Sequence, residues 1–297
     1  MDIRAILMGL AFAAMWSSAF TSARIIVADA PPLMALALRF AISGALAVLL
    51  ARMMGQSWQL TRNQWKATIV FGICQNALYL GLNFVAMQRI EASLAAIIAS
   101  SMPLLVGVAG WVFAGKRISP LGIIGLIAGF CGVVIIMSAR LGAGADLVGV
   151  GLCLLGVISL TVATLSLSNA SSGGNFMMIV GLQMLIGSAV LWPVGLALET
   201  ATVNMSPKLV LAFIYTTLVP GLMATLVWFW LVNRIGAVKA ATFHFLNPFL
   251  GVAIAALILS EQLGAMDILG VVIITFGILA VQISRQTGGT ETNSTPK

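Results

Sequence analysis

The sequence predicts an all-α integral membrane protein with ten transmembrane helices in two inverted five-helix repeats. Three observations carry this prediction. Hydrophobic residues make up 61% of the 297 positions and charged residues only 8%, with a mean hydropathy of +1.11. A soluble domain is nearer one quarter charged, so the apolar runs must cross lipid. Second, those runs divide into ten segments of about the 20 residues that a bilayer requires. Third, residues 89–140 align without a gap on residues 234–285. Arg89/Arg234, Pro103/Pro248, Gly125/Gly270, Gly132/Gly277 and Arg140/Arg285 all match at a constant offset of 145. Coincident Arg, Pro and Gly say more than coincident Leu in so apolar a chain, and a fixed period marks an internal repeat.

The ten spans lie at about 4–27, 32–53, 64–87, 92–114, 119–139, 147–168, 176–197, 208–232, 237–259 and 264–284. The halves are residues 1–145 and 146–285. Residues 286–297 form a polar tail rich in Thr, Gly and Ser, read as disordered and cytoplasmic. Arg4, an apolar run and Ala28-Asp29-Ala30 resemble a signal peptide. The run exceeds the 7–15 residues usual for one, and five spans per half need it, so it reads as a retained first span.

Charge sets the orientation. The net charge of +7 is not a nucleic-acid footprint, because it is sorted by side. With the N-terminus inside, ten cationic residues face the cytoplasm: Arg4, Arg52, Arg62, Lys66, Lys116, Arg117, Arg234, Lys239, Arg285 and Lys297. Four face outward (Arg24, Arg89, Arg140 and Lys208), and Arg39 falls within span 2. The bias places both termini in the cytoplasm and the chain in an inner (plasma) membrane. Five spans per half is odd, so the second half enters from the opposite side. Inverted halves of this kind build transporters whose substrate site lies at the repeat interface.

Few groups at membrane depth can do chemistry, and each is a functional candidate by default. His244 is the single histidine and precedes Asn247 and Pro248 in span 9. His244 and Asn247 share a helix face. Pro248 and its mate Pro103 each free a carbonyl of the preceding turn, so they read as hinges flanked by polar groups, with Ser100 and Ser101 beside Pro103. Asn76, Tyr79 and Asn83 form a polar stripe on span 3 that can orient a ligand without charge; hydrogen bonding between helices is the alternative use. Trp16 lies near mid-span, beside Ser17, Ser18 and Thr21. Spans 6 and 8 add Ser159, Thr161, Thr164, Ser166 and Ser168, and Tyr215 and Pro220. The candidate substrate-binding residues are therefore Trp16, Asn76, Tyr79, Asn83, Ser100, His244 and Asn247. Trp228 and Trp230 read as members of an interfacial aromatic belt, and Arg39 as a side chain that snorkels outward. Gly122, Gly125, Gly129 and Gly132 give span 5 one smooth face, partly kept in span 10, so these two spans read as scaffold that packs closely on itself or on another protomer.

Absences narrow the classes. All eight acids lie at or near span ends or in tails. An intramembrane enzyme would need clustered acids, a supported Ser/His pair or metal ligands. Cys74, Cys131 and Cys153 have no metal or redox spacing and read as small buried apolar residues. No cofactor or metal is called for. A cation in a low-dielectric cavity wants a counter-charge, so neutral or zwitterionic substrates suit the inventory better than cationic drugs. If protons couple to movement, His244 is the side chain with an ordinary pKa near neutrality. A channel or lipid scramblase stays open as an alternative.

The chain resembles the drug/metabolite transporter superfamily, specifically its ten-span EamA members, over about residues 4–285. The resemblance rests on Leu38-Arg39-Phe40, Trp16-Ser17-Ser18, the paired Pro103 and Pro248, and Leu259-Ser260-Glu261-Gln262 where the family has a Gly-Glu turn. Gly115-Lys116-Arg117 departs from the family, in which an acid is common. Among subfamilies the likeness points to YddG-type exporters of aromatic amino acids and metabolites. It implies a cavity lined by spans 1, 3, 4, 6, 8 and 9 and an exporter of amino acids or related small metabolites, or else of drugs, acting by alternating access. The implied partners are a small-molecule substrate and the bilayer, with no nucleic acid, in a monomer or weak homo-oligomer.

Overall fold

A computed structural model describes residues 2–114, 119–167 and 173–291. Within them lie ten helices long and apolar enough to cross a membrane. They are span 1 (Ile3–Asp29), span 2 (Pro32–Met53), span 3 (Arg62–Ala86), span 4 (Ala92–Phe113), span 5 (Pro120–Gly142), span 6 (Leu147–Ser166), span 7 (Phe176–Leu198), span 8 (Pro207–Ile235), span 9 (Lys239–Leu259) and span 10 (Ala265–Ser284). Helix continues past span 10 to Glu291. The Gly115-Lys116-Arg117 turn, Ser168 and residues 292–297 lie outside the described residues.

Local sequence starts these helices where backbone amides lack partners. Ser119 and Ser206 each accept the third amide of the following helix, from Gly122 and Leu209, with Pro120 and Pro207 at the first helical position. That position tolerates proline because its missing N–H would be unsatisfied anyway. Thr61 and Gln64 form a reciprocal capping box at span 3. Ser260 ends span 9 with φ 56°, the left-handed conformation that glycine adopts without steric cost. This is the position at which the resembling family has its Gly-Glu turn.

In lipid, burying apolar side chains is not itself a driving force, so close packing and interhelical hydrogen bonds must hold the bundle. Spans 5 and 10 lie side by side and antiparallel on their glycine faces. A Cβ added to Gly125 would lie 2.7 Å from the Gly277 carbonyl oxygen, and one added to Gly270 would lie 2.8 Å from that of Gly132. The repeat maps Gly125 on Gly270 and Gly132 on Gly277, so exchanging the halves turns one contact into the other. That exchange is the mark of a pseudo-two-fold axis between inverted repeats. Spans 2 and 7 form a second antiparallel pair, in which the Ser188 hydroxyl donates to the Ala37 carbonyl at 2.8 Å. The other six spans pack between these two pairs.

Four of those six are interrupted, at positions the repeat relates. Gly72–Leu80 of span 3 and Val219–Met223 of span 8 are π-helical. Subtracting the offset of 145 places 219–223 inside 72–80. Span 4 breaks at Ser101, just before Pro103, and span 9 passes through a 3-10 turn, Thr242–Leu246, just before Pro248. The carbonyl of His244, which Pro248 would leave unpaired, instead accepts the N–H of Asn247. The expected free carbonyl is therefore taken up by the tighter turn.

Candidate functional site

The interrupted spans surround a cavity of about 430 Å³, within the range of small-molecule sites. It runs from mid-bundle toward the face where span 1 begins and span 10 ends, hereafter the terminal face. Gln64 near the start of span 3 and Phe176 at the start of span 7 line its outer part. A second cavity of about 50 Å³ adjoins its blind end and reaches Met87, the residue after span 3.

One wall is aromatic. Phe12, Trp16 and Phe20 recur every four residues along one face of span 1 and all line the cavity. His244 stands edge-on to Phe12 at 5.3 Å and to Trp16 at 6.4 Å between ring centroids, with Trp228 at 5.2 Å. Trp228 thus belongs to the cavity wall rather than to an interfacial belt, while Trp230, two residues on, is 55% exposed on the outside of the bundle. The four-residue spacing of Phe12, Trp16 and Phe20 was available in the sequence as a signal for this wall.

The polar candidates divide by how their hydrogen bonds are used. Trp16, Asn76, Tyr79, Ser100, Pro103, His244 and Asn247 all line the cavity, whereas Pro248 is buried beside it. Asn247 Nδ2 lies 2.9 Å from His244 Nδ1, which leaves His244 Nε2 to carry the ring proton if Nδ1 accepts. The Asn247 Oδ1 is buried without a partner. Ser100 spends its proton on the Ala96 carbonyl at 2.7 Å. Asn76 donates to the Gln183 carbonyl at 2.9 Å and so ties span 3 to span 7 while facing the cavity.

Asn83 differs from the expected stripe. It borders only the smaller cavity and is 1% exposed. Its Nδ2 donates to the Tyr79 carbonyl at 2.7 Å, and its Oδ1 accepts from Cys153 at 3.2 Å. The physical reason lies in the π-helical stretch that precedes it. Its i→i+5 bonding shifts the angular phase, so 3.6-residue spacing does not carry across. Cys131, also expected to be buried, is exposed on the outside of span 5.

Arg39 is the largest correction. It does not snorkel: it is 5% exposed, and it lines both cavities. Its Nε donates to the Thr216 carbonyl at 3.2 Å. The carboxylates that could neutralise it are elsewhere, because the residues lining the two cavities include no Asp or Glu.

Glu199, Glu261, Glu91, Asp267 and Asp29 instead make contacts at the face opposite the termini. The Glu199 carboxylate accepts the amides of Leu33 and Met34 at 2.8 and 3.0 Å, at the start of span 2. Glu261 accepts those of Ala92 and Ser93 at 2.8 and 2.9 Å, at the start of span 4. A carboxylate is favoured there by the helix dipole as well as by the unpaired amides. Arg140 lies between Glu91 and Asp267, with Nε 2.9 Å from Asp267. Asp29 accepts from Asn204 and Ser206. The turn at Glu261 thus has a capping role at the start of span 4.

Comparison with known proteins agrees with this geometry. A family profile described as EamA-like transporter family matches residues 3–138 and again residues 147–283. The chain is 27% identical over 268 residues to the uncharacterized transporter YvbV of Bacillus subtilis, covering 90% of this chain and 88% of that protein. It is 24% identical to the uncharacterized inner membrane transporter YedA of Escherichia coli K12, covering 91% and 88%. A solved crystal structure superposes with a TM-score of 0.70 at 19% identity, covering 96% of this chain and all of that one, which bears on the fold alone. Two family matches, ten spans and a central cavity lead to one conclusion: the chain is a membrane transporter, not an enzyme, and belongs to the EamA-like transporter family.

Proposed function

We propose that this chain is a secondary transporter that exports amino acids with aromatic or apolar side chains, and related small metabolites, across the inner membrane by alternating access. The observation that carries the reading is the cavity itself. It is aromatic-walled, carries no carboxylate, and lies where symmetry-related interruptions of spans 3, 4, 8 and 9 meet. The excess of Lys and Arg near the terminal face supports cytoplasmic termini. The cavity then faces the cytoplasm, the side from which an exporter loads, and the carboxylate contacts close the outer side. Movement would bend spans 4 and 9 near Pro103 and Pro248, opening the outer face as the inner one closes. The two halves, 1–145 and 146–285, would act as the inverted units. A cavity that reaches the terminal face, with carboxylates capping neighbouring spans at the opposite face, suits a carrier better than a channel.

The test is uptake and counterflow of a panel of labelled amino acids in proteoliposomes, with and without an imposed pH gradient. Saturable exchange that ignores the gradient supports an uncoupled carrier. Gradient-driven accumulation would turn attention to His244. Failure to move any amino acid removes the proposed substrate class.

A further inference from the structure

We infer that Arg39 is the recognition point for a substrate carboxylate. The cavity takes compounds with a single carboxylate and an aromatic or apolar body, and the ammonium group of an amino acid is dispensable. The inference rests on reading the cavity as the transport site.

Arg39 stands seven residues past Pro32, roughly 10 Å below the outer end of span 2 at 1.5 Å per residue. A guanidinium carries five N–H donors. The structure assigns one of them, Nε, to the Thr216 carbonyl. The ion pairs among the described residues engage Arg89, Arg140 and Arg234 but not Arg39. Space is kept for the group: a Cβ on Gly221, in the π-helical stretch of span 8, would lie 3.4 Å from Arg39 Nη2. The result is a cation, 5% exposed, at the junction of the two cavities.

A buried charge is costly unless it is paired. A carboxylate entering from the terminal face supplies that pair in the bidentate geometry a guanidinium favours. Arg39 and His244 are the basic side chains among the lining residues, so a singly charged head fits better than a dianion. The aromatic wall of Phe12, Trp16 and Trp228 suits the rest of the molecule. An ammonium group finds no carboxylate in either cavity, so it gains no charged partner there.

Trp16 and Trp228 provide the readout. Quenching of tryptophan fluorescence in purified full-length protein would be titrated with L-phenylalanine, 3-phenylpropionate and phenylalaninamide. In the wild type the two carboxylates should bind comparably, and the amide about 10- to 100-fold more weakly. Arg39→Gln should weaken both carboxylates by a similar factor and leave the amide unchanged, and Arg39→Lys should recover part of the loss. The wild-type comparison of acid with amide stands even if Arg39→Gln does not fold. Equal binding of acid and amide, or unaltered carboxylate affinity in Arg39→Gln, overturns the inference and leaves the transport reading intact. Binding of phenylalanine without 3-phenylpropionate overturns the dispensable ammonium. Wild-type protein that binds none of the three removes the proposed substrate class and this inference with it.

Discussion

Asp2 caps span 1 and pairs with Arg234 at the end of span 8, with Arg234 Nε 2.9 Å from its carboxylate. The other half repeats the arrangement on the opposite face. Asp146 accepts the amide of Gly149 at the start of span 6 and pairs with Arg89, just after span 3, at 3.3 Å. Arg89 and Arg234 are mates in the sequence repeat, so the inversion extends to the charged ends of the helices.

The first prediction concerns acid. The Arg234 guanidinium, followed by the Ala5 amide, holds the Asp2 carboxyl down to about 2 from an ordinary 3.8. Asp146 is lowered as well, first by the Gly149 amide and then by Arg89. A depressed carboxyl contributes stability that is fully present above its unfolded pKa and is lost as pH falls through the folded one. The Asp2 link should therefore stay intact from about pH 4 upward and break near pH 2. A carbon-13 titration of the Asp2 carboxyl with a midpoint at or above 3.8 would refute this.

The glycine contact between spans 5 and 10 should tolerate no side chain. In Gly132→Val the Cβ meets the Gly270 carbonyl oxygen at 2.8 Å, so the helices must separate. Overpacking of this kind costs about 1–3 kcal/mol. Gly142→Ala, in open space at the end of the same span, should be neutral. Thermal unfolding in detergent compares the two, and equal midpoints would contradict the close-packed scaffold.

Arg140 should matter more than an exposed ion pair. Its side chain is 14% exposed between Glu91 and an Asp267 side chain that is 5% exposed. Arg140→Met leaves Asp267 with the Gly264 amide as its remaining hydrogen-bond partner. Breaking a buried pair costs about 3–5 kcal/mol, and partial exposure reduces this to roughly 2–3 kcal/mol. The loss should also favour opening of this face, read as faster labelling of a cysteine placed at Met87. Unchanged stability and labelling would exclude Arg140 from the closure.

Within the cavity, Tyr79→Ala and His244→Ala should each lower transport about tenfold or more while the protein still reaches the membrane, as loss of one good polar contact to substrate implies. Asn83→Ala should act through stability, because both ends of its amide are engaged by Tyr79 and Cys153. Wild-type rates in Tyr79→Ala and His244→Ala would remove both from the site.

The glycine face of spans 5 and 10, the paired prolines beside the interruptions of spans 4 and 9 and several residues of the cavity wall could be read in advance. Each is a spacing or a repeat match that survives any rotation of a helix about its axis. Arg39, Trp228 and Asn83 were misplaced because their roles depend on that rotation. Two of them lie next to or beyond π-helical stretches, where a 3.6-residue period no longer predicts direction.

Composition and the repeat determined ten spans and inverted halves. The reason is that a helix crossing hydrocarbon needs about 20 apolar residues and satisfies its backbone groups internally. Only the tertiary structure decided which polar groups are spent between helices and which face the cavity. A hydrogen bond such as Asn76 to the Gln183 carbonyl, or that of Arg39 to the Thr216 carbonyl, is defined by neighbours from other spans. Those neighbours are set by packing geometry, which no single helix encodes.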